Sequence, residues 1–373
     1  MVRRLAVRKR LAGLSALSLA ILLAGCALLQ ARQALAQDVA PAAPVDSATP
    51  ANSTAPADTA APAVSPVYAK WGKDLAAWRA AREREIGAPD GWLTLVGMEW
   101  LKPGVNSVGA AQDNQIRLHA QAPDHIGLLT VSGTPPSAKP HKSKPQGGQP
   151  ADGQPQDGQI VQLLAPSGGF PPDLLIDGKP AREGQLTVEG ASLSTISWHS
   201  VTMVVLSRGG RYALRIKDAD SPARASFQRL NWYAPNPLYR VRAVWTPYTP
   251  PRIVKIPTAL GTTLDLPSPG FVEFVLDGKP LNLEPVMEKG AEGTLFFILK
   301  DLTSEISTYG TARYLHTGLP DHGLDQPGLL TLDFNLLENS PCAYTPYATC
   351  PLPPEQNRLG VTLEAGEKLY APQ

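Results

Sequence analysis

Proline and glycine are the residues that most limit what this chain can fold into. The 373-residue sequence contains 38 prolines and 32 glycines, and both residue types interrupt helices. Charged residues make up only 18% of the chain, below the roughly 25% of an average soluble domain. Long helical bundles and Glu/Lys-rich coiled coils are therefore excluded, and short extended segments are favoured.

The N-terminus has the pattern of a secretory signal. The first ten residues hold five basic side chains, and the first acidic one is Asp38. An apolar stretch over residues 11–24 follows, which is short for a membrane span. We therefore predict a signal peptide at residues 1–25. Its removal leaves 29 basic and 33 acidic side chains, a net charge of −4, so we expect no nucleic-acid partner.

The signal ends in Leu23-Ala24-Gly25-Cys26, which resembles the lipobox of bacterial lipoproteins. In that family the cysteine is lipidated and becomes the new N-terminus. The resemblance implies lipidation of Cys26, a membrane partner through the lipid anchor, and, with Ala27 next, an outer-membrane location facing the periplasm. Each buried methylene of an acyl chain would stabilise the anchor by about 0.8 kcal/mol. The alternative is an ordinary cleaved signal with a chance cysteine.

Two low-complexity stretches divide the chain. Residues 26–66 are rich in Ala and Pro, and from Asp38 onward they contain no aromatic residue, Lys or Arg, which is typical of a flexible tether. Residues 137–159 repeat Gly, Gln and Pro and predict a disordered insertion between strands. The remaining sequence predicts an N-terminal helix plus β-sandwich over residues 67–236 and a C-terminal β module over residues 237–373.

Local patterns predict one helix followed by many strands. Trp71, Leu75, Trp78 and Arg82 fall on one stripe of a helix over residues 68–86, which Gly87 and Pro89 end. Ser221-Pro222 predicts a short second helix through Phe227. Hairpin turns are indicated at Asp177-Gly178, Gly209-Gly210 and Asp277-Gly278. The predicted strands are 92–96, 115–118, 126–131, 160–164, 193–206, 211–216, 239–245, 252–256, 271–276, 294–299, 308–315, 329–334 and 360–363. We predict a mainly β fold of two packed modules, a sandwich and then a β-barrel or sandwich, preceded by one helix.

Several motifs resemble those of the domain-of-unknown-function 1684 family. They are Pro89–Gly97 with Trp100-Leu101, Arg211-Tyr212, Lys217-Asp218, Ser221–Arg224, Pro267–Gly270, Asp333–Asn335, Pro341–Pro354 and Asn357–Leu359. The resemblance covers most of residues 68–368, and the cysteine-containing stretch is its most specific part. It implies domain extent and carries no activity.

The first half also resembles a forkhead-associated sandwich. The residues that carry this resemblance are Pro103–Asn106, Gly109 and Asp113–Leu118. That family grips phosphothreonine with an arginine after the glycine and a serine before a histidine. Here Ala110 follows the glycine, and Asp124 precedes His125. The resemblance therefore implies the sandwich without its phosphate grip.

Cys342 and Cys350 are the only cysteines besides Cys26. Outside the inner membrane, two thiols eight positions apart form either a structural disulfide or a metal or redox site. A structural bridge would contribute roughly 2–3 kcal/mol. The spacing differs from that of paired zinc ligands, His316 and His322 do not form a helical ligand pair, and no nucleotide-binding fingerprint is present. We expect no metal and no cofactor.

Strand alternation in the second half predicts one polar surface. It would collect Glu273, Tyr309, Arg313, Asp333 and Asn335 if their strands are neighbours, and it could hold a small anionic or sugar-like ligand. The alternatives are a solvated outer face or a buried Arg–carboxylate pair. Arg224 and Arg358 are further candidates for carboxylate or phosphate clamps.

Two functions follow from these candidates. The first is an envelope-anchored binding or interaction protein for a small ligand or envelope component. The second is a hydrolase in which Glu273 or Asp333 acts as general base and Arg313 stabilises negative charge. Both require the polar residues to converge in a concave pocket.

Overall fold

The computed structural model of the protein describes residues 66–133, 160–190, 192–208, 211–291 and 293–371. These residues belong to one compact unit. The predicted signal peptide, the lipidation site Cys26, residues 26–65 of the tether and the insertion 137–159 lie outside the described residues. Among the residues that are described, no helix combines the length and the apolar character needed to cross a bilayer.

The long helix α1 spans Pro66–Ile86, within two residues of its predicted start. Its predicted stripe packs inward: Leu75 and Arg82 are buried, and the Trp78 ring meets the Trp232 ring edge-on at 5.6 Å. Gly87 ends the helix with a backbone hydrogen bond to Glu83. The helix is therefore held by the packing of one face, which is apolar and aromatic except for the charged Arg82, rather than by its own propensity.

Residues 95–218 supply two sheets. The strands are β1 Leu95–Trp100, β2 Gly104–Gly109, β3 Ile116–Arg117, β4 Gly127–Ser132, β5 Ile160–Leu164, β6 Leu175–Ile176, β7 Lys179–Pro180, β8 Gly184–Gln185, β9 Thr195–Trp198, β10 Val201–Arg208 and β11 Arg211–Asp218. One sheet has the order β1-β11-β10-β9-β6-β7 and the other β3-β2-β4-β5-β8. Alternate side chains of both sheets form one apolar cluster, which includes Leu129, Leu163, Met203 and Leu214.

A short helix, α2 at Pro222–Ala225, starts as predicted and ends two residues before the predicted Phe227. The Ser221 side chain accepts a hydrogen bond from the Arg224 backbone N–H, and proline occupies the first turn. This is the capping chemistry that the sequence indicated.

Two further sheets follow. Their strands are β12 Arg240–Pro257, β13 Thr263–Leu276, β14 Lys279–Leu283, β15 Leu295–Leu299, β16 Arg313–Thr317, β17 Gly328–Asp333 and β18 Glu338–Asn339. The sheet orders are β14-β13-β12-β17 and β15-β16-β18. Trp245, Phe274, Phe297 and Phe334 lie in the core between them. None of the sheets formed by the described residues closes on itself, so the barrel alternative for this half is wrong and the mainly β class is confirmed.

The hairpin β13–β14 fixes the faces of its strands. Asp277 and Gly278 have φ of 50° and 71°, the left-handed backbone that Asp-Gly turns tolerate best. The two-residue turn pairs Leu276 with Lys279 and Glu273 with Asn282. Val272, Phe274 and Leu276 are buried, as the alternation predicted.

Several strand predictions differ from the structure. Residues 193–206 form a hairpin of two strands. Residues 240–245 and 252–256 belong to the single long strand β12, and Tyr239 ends a short 3₁₀ helix before it. Residues 360–363 are not a strand. The predicted strand 308–315 begins only at Arg313, because Thr308 belongs to a turn instead. Its backbone N–H donates to the Thr303 carbonyl, and the hydroxyl groups of Thr303 and Thr308 are hydrogen-bonded to each other. Tyr309 therefore lies in a loop rather than on a strand beside Arg313.

Candidate functional site

The sequence-predicted site residues do not converge in one place. Glu273 and Arg358 line the same groove, and Tyr309 lines a separate cavity beside the disulfide. Arg313, Asp333 and Asn335 are buried in the body of the protein. The groove that holds two of the predicted residues is therefore the first candidate site.

We call this site the polar groove. It encloses about 250 Å³ and is lined by the polar side chains of Glu273, Asn282, Gln356 and Arg358, together with Pro280, Leu281, Leu359 and Gly360. Glu273 and Asn282 are directly opposite each other on β13 and β14. Side chains at such positions stand side by side on one face of the sheet, so a carboxylate and an amide form the strand side of the groove.

The loop 355–360 forms the opposite wall and is held by Asn357, which is fully buried. The Asn357 Oδ1 accepts the backbone N–H of Glu284 at 2.8 Å, and its Nδ2 donates to the carbonyls of Glu284 at 2.8 Å and Ile298 at 2.9 Å. One side chain therefore satisfies three backbone groups, two on Glu284 just after β14 and one on Ile298 in β15.

The backbone around Arg358 is fixed on both sides. Lys300 donates its N–H to the Asn357 carbonyl at 3.1 Å, and Leu359 donates its N–H to the Lys300 carbonyl at 2.7 Å. The Arg358 side chain itself is exposed. The anchored backbone fixes where this side chain starts, while ordering the exposed guanidinium on a ligand costs about 0.5–1.5 kcal/mol.

The side chain of Gln356 is held by the ion pair between Glu284 and Arg252. Its Nε2 donates to Glu284 Oε2 at 2.5 Å, and Arg252 Nε donates to Glu284 Oε1 at 2.7 Å. Burial by itself would raise the pKa of Glu284, but the hydrogen bonds from Arg252 and Gln356 hold that pKa below its ordinary value. Glu284 therefore stays ionised and keeps the Gln356 amide at the groove wall.

Arg313 has a different environment. Its side chain is completely buried, and Nη1 donates to Asp301 Oδ2 at 2.9 Å and to the Leu363 carbonyl at 3.0 Å, while Nη2 donates to the Ala365 carbonyl. Burial lowers the pKa of this guanidinium, and Asp301 opposes that shift. The expected placement of Arg313 on an open polar surface is not found; it forms the buried Arg–carboxylate pair that was the alternative.

Asp333 and Asn335 connect distant segments. Asp333 Oδ2 accepts the indole N–H of Trp71 at 2.7 Å, and its Oδ1 accepts from the Asn335 side chain at 2.9 Å. Asn335 in turn donates to the Asn236 carbonyl at 2.9 Å. Asp333 is at the end of β17. Glu273 on β13 pairs with Val244 on β12, and Val244 in turn pairs with Leu329 on β17. The two carboxylates are therefore four positions apart along the strand direction and two strands apart across the sheet.

Arg224 holds a chain reversal together. Its Nε donates to the Gly87 carbonyl at 2.9 Å, and its Nη1 donates to the Ala219 carbonyl at 2.7 Å. The guanidinium thus joins the end of α1 to the segment before α2. These contacts use the side chain as a loop clamp, and the structure does not bring it near Arg358.

Cys342 and Cys350 form a disulfide, as expected. The bridge closes a loop that lies against β1: Thr345 Oγ1 donates to the Leu95 carbonyl at 2.7 Å, and Leu95, Ala348 and Cys350 pack together. Beside the loop is a second site, the disulfide cavity. It encloses about 410 Å³ and is lined by Ala259, Leu260, Tyr309, Cys342, Ala343, Tyr344, Thr345, Pro346 and Ala348.

The sequence reasoning missed Asn282 and Gln356. Asn282 could have been found from the sequence, because a two-residue turn at Asp277-Gly278 pairs position 276 with 279 and therefore position 273 with 282. Gln356 had no such signal, since its place depends on the long-range contacts of Asn357 and Glu284. Within the described ranges, no group of three or more His, Cys, Asp or Glu side chains could hold a metal ion.

Comparison with known proteins places both sites in one sequence family. Residues 225–368 match a family described as a protein of unknown function (DUF1684), and over that part the chain belongs to this family. The motifs at 89–101 and 211–224 lie before the matched range. All lining residues of the polar groove and of the disulfide cavity lie within it.

A solved structure also matches. It is the solution NMR structure of an uncharacterized protein of Haloarcula marismortui, 32% identical, with the alignment covering 39% of this chain and 78% of that chain at a TM-score of 0.34. No curated protein matches the chain.

Proposed function

We propose that this chain is a binding protein that holds a small, hydroxyl-rich, sugar-like ligand in the polar groove. The observation that carries the proposal is the Glu273, Asn282, Gln356 and Arg358 quartet on anchored backbone. A carboxylate accepts hydrogen bonds from hydroxyl groups, a guanidinium donates them, and each amide does both. The groove, at about 250 Å³, is smaller than most drug-sized sites, which span about 300–1,000 Å³, and suits a ligand of one ring.

The charges of the groove favour a neutral ligand. Glu273 and Arg358 contribute one formal charge of each sign on opposite walls. A strongly anionic ligand would gain at Arg358 and lose at Glu273. A polyhydroxylated ring can donate to Glu273 and accept from Arg358, so both charged groups keep hydrogen-bond partners when the ligand displaces water.

We further propose that the protein is a lipoprotein anchored through Cys26 in the outer membrane and facing the periplasm. The support is the basic leader, the apolar stretch and the Leu-Ala-Gly-Cys end of the signal. Acyl chains on Cys26 would keep the binding region near envelope components.

The hydrolase alternative receives less support. It needs Glu273 or Asp333 together with Arg313 at one reacting centre. Instead, buried Arg313 donates to Asp301, and Asp333 accepts a hydrogen bond from the Trp71 indole. We therefore propose binding without a chemical step.

Saturation-transfer NMR with glucose, galacturonic acid and N-acetylglucosamine tests the binding proposal. We expect transfer to a neutral sugar, loss of that transfer in Arg358→Ala and Glu273→Gln, and no change in Lys255→Ala, whose exposed partner is Asp265. Arg358 and Lys255 are both exposed, so both variants should fold. Transfer that is absent for every sugar, or unchanged in the two groove variants, would overturn the proposal.

Metabolic labelling with an alkyne-tagged fatty acid tests the anchor in a bacterial host. The native chain should carry the label and sediment with membranes, and Cys26→Ser should lose both properties. Recovery of the native chain unlabelled in the soluble fraction would contradict the lipoprotein proposal.

A further inference from the structure

The two sulfurs of the disulfide lie in different environments. Cys342 lines the disulfide cavity, and Cys350 does not. Cys350 is only 1% exposed and packs against Leu95 and Ala348. An incoming reagent in the cavity therefore meets Cys342 first.

The buried sulfur has a hydrogen-bond donor. The backbone N–H of Cys342 points at Cys350 Sγ at 3.0 Å. An N–H directed at sulfur stabilises the thiolate more than the thiol, and a stabilised thiolate is the better leaving group in disulfide exchange. The bond is thus arranged for attack at Cys342 and departure of Cys350.

We propose that Cys342–Cys350 is an exchangeable disulfide and that the disulfide cavity admits a small-molecule thiol. In the first step the thiolate of that molecule forms a new S–S bond to Cys342 Sγ. The Cys342–Cys350 bond breaks, and its electron pair leaves on Cys350, which takes up the proton that the thiol lost. A second thiol displaces Cys342 in the same way. Two thiols are then oxidised to one disulfide, and the protein disulfide is reduced to two thiols.

The cavity fits such a reagent in size and polarity. It encloses about 410 Å³, and none of its lining side chains carries a formal charge, so a thiolate meets no carboxylate on entry. The Ala259 and Leu260 turn forms one wall, and Tyr309 forms another. Since Ala259 is exposed, a larger side chain there would narrow the entrance without altering the core.

The loop has anchors besides the disulfide. Thr345 is bonded to the Leu95 carbonyl, and the Tyr344 hydroxyl donates to buried Glu367. Ala259 also donates its N–H to the Cys350 carbonyl at 2.9 Å. We therefore expect the dithiol form to keep its fold, with both sulfurs near each other. This inference is independent of sugar binding at the polar groove.

Exchange with glutathione on the native full chain is the first test. Reduced glutathione should open the bond without denaturant, as measured by alkylation and mass spectrometry. With oxidised glutathione, Cys350→Ser should acquire one adduct on Cys342, and Cys342→Ser should react about tenfold more slowly because its remaining thiol is buried. Peptide mapping separates these adducts from any on Cys26. A bond that opens only in denaturant, or adducts equal at the two positions, would overturn the proposal.

A pair of exposed alanines tests the route of entry. Ala259→Trp should slow reduction of the native disulfide severalfold, whereas Ala77→Trp on the exposed side of α1 should not. Equal rates in the two variants would show that the reagent does not pass through the cavity.

Discussion

Arg82 on α1 and Glu367 near the C-terminus form a buried ion pair, with 3.1 Å between Arg82 Nε and Glu367 Oε1. Glu338 lies 3.0 Å from the same nitrogen, and the Tyr344 hydroxyl donates to Glu367. Burial by itself would lower the pKa of Arg82, but Glu338 and Glu367 raise it above its ordinary value. The helix and the last described segment are therefore joined by charge as well as by apolar packing.

Removal of Arg82 should destabilise the protein strongly. Arg82→Ala leaves Glu367, which is 1% exposed, without its cation, and breaking a buried pair in this way costs about 3–5 kcal/mol. Urea unfolding should give a free energy of unfolding lower by that amount. Lys70→Ala, which breaks the exposed pair with Asp74, is the matched control and should change little. A small effect of Arg82→Ala would mean that Glu367 takes up a proton or gains water instead.

His316 should titrate well above an ordinary histidine. Burial alone would lower its pKa, but Glu288 and Glu338, each 3.5 Å from a ring nitrogen, raise that pKa to about 9. Because the folded pKa exceeds the unfolded value, the stabilisation is fully present below pH 6.5 and is lost as pH rises to about 9.

NMR titration of the His316 ring protons would check this shift, with His316→Gln assigning the signal. Glu338→Gln should move the midpoint down, because one of the two carboxylates is removed. A native midpoint at or below the ordinary value of 6.5 would contradict the expected stabilisation of the imidazolium.

Much of the fold could be predicted from local sequence. The α1 stripe, the Ser-Pro start of α2 and the alternation of residues 271–276 depend on neighbours within one or two turns or strand steps. The Asp277-Gly278 turn then fixed which residue is opposite Glu273. These features can be predicted from nearby residues because the direction of side chains repeats regularly along a helix and alternates along a strand.

The candidate site was harder to predict, since burial depends on distant partners. Nothing near Arg313 in the sequence shows that Asp301 and the carbonyls of Leu363 and Ala365 surround it. The strand containing it starts five residues later than its β-branched and aromatic pattern predicted. Asp333 is similar, because the indole that binds it comes from a helix 262 positions earlier.

Asn357 should support the polar groove through its hydrogen bonds rather than through its size. Asn357→Asp keeps the size of the side chain but replaces the Nδ2 donor, so that an oxygen faces the carbonyls of Glu284 and Ile298. Unsatisfied buried groups of this kind cost about 1–3 kcal/mol each. Chemical denaturation should give a free energy of unfolding lower by an amount of that order. Sugar binding should weaken in the protein that remains folded. Asn231→Asp at an exposed position should change neither quantity; an equal effect there would rule out a specific role for Asn357.

Arg313 should act on stability and leave ligand binding at the groove unchanged. Arg313→Met leaves Asp301 buried without its partner, which costs about 3–5 kcal/mol. The double variant Arg313→Met with Asp301→Asn should recover part of that loss, because the unpaired charge is removed while the amide that replaces the carboxylate retains an oxygen for the Thr303 and Leu363 backbone N–H groups. A double-mutant cycle from urea unfolding measures this coupling. If instead Arg313→Met kept full stability and abolished sugar binding, the guanidinium would be part of a ligand site, and the assignment of binding to the groove of Glu273 and Arg358 would be wrong.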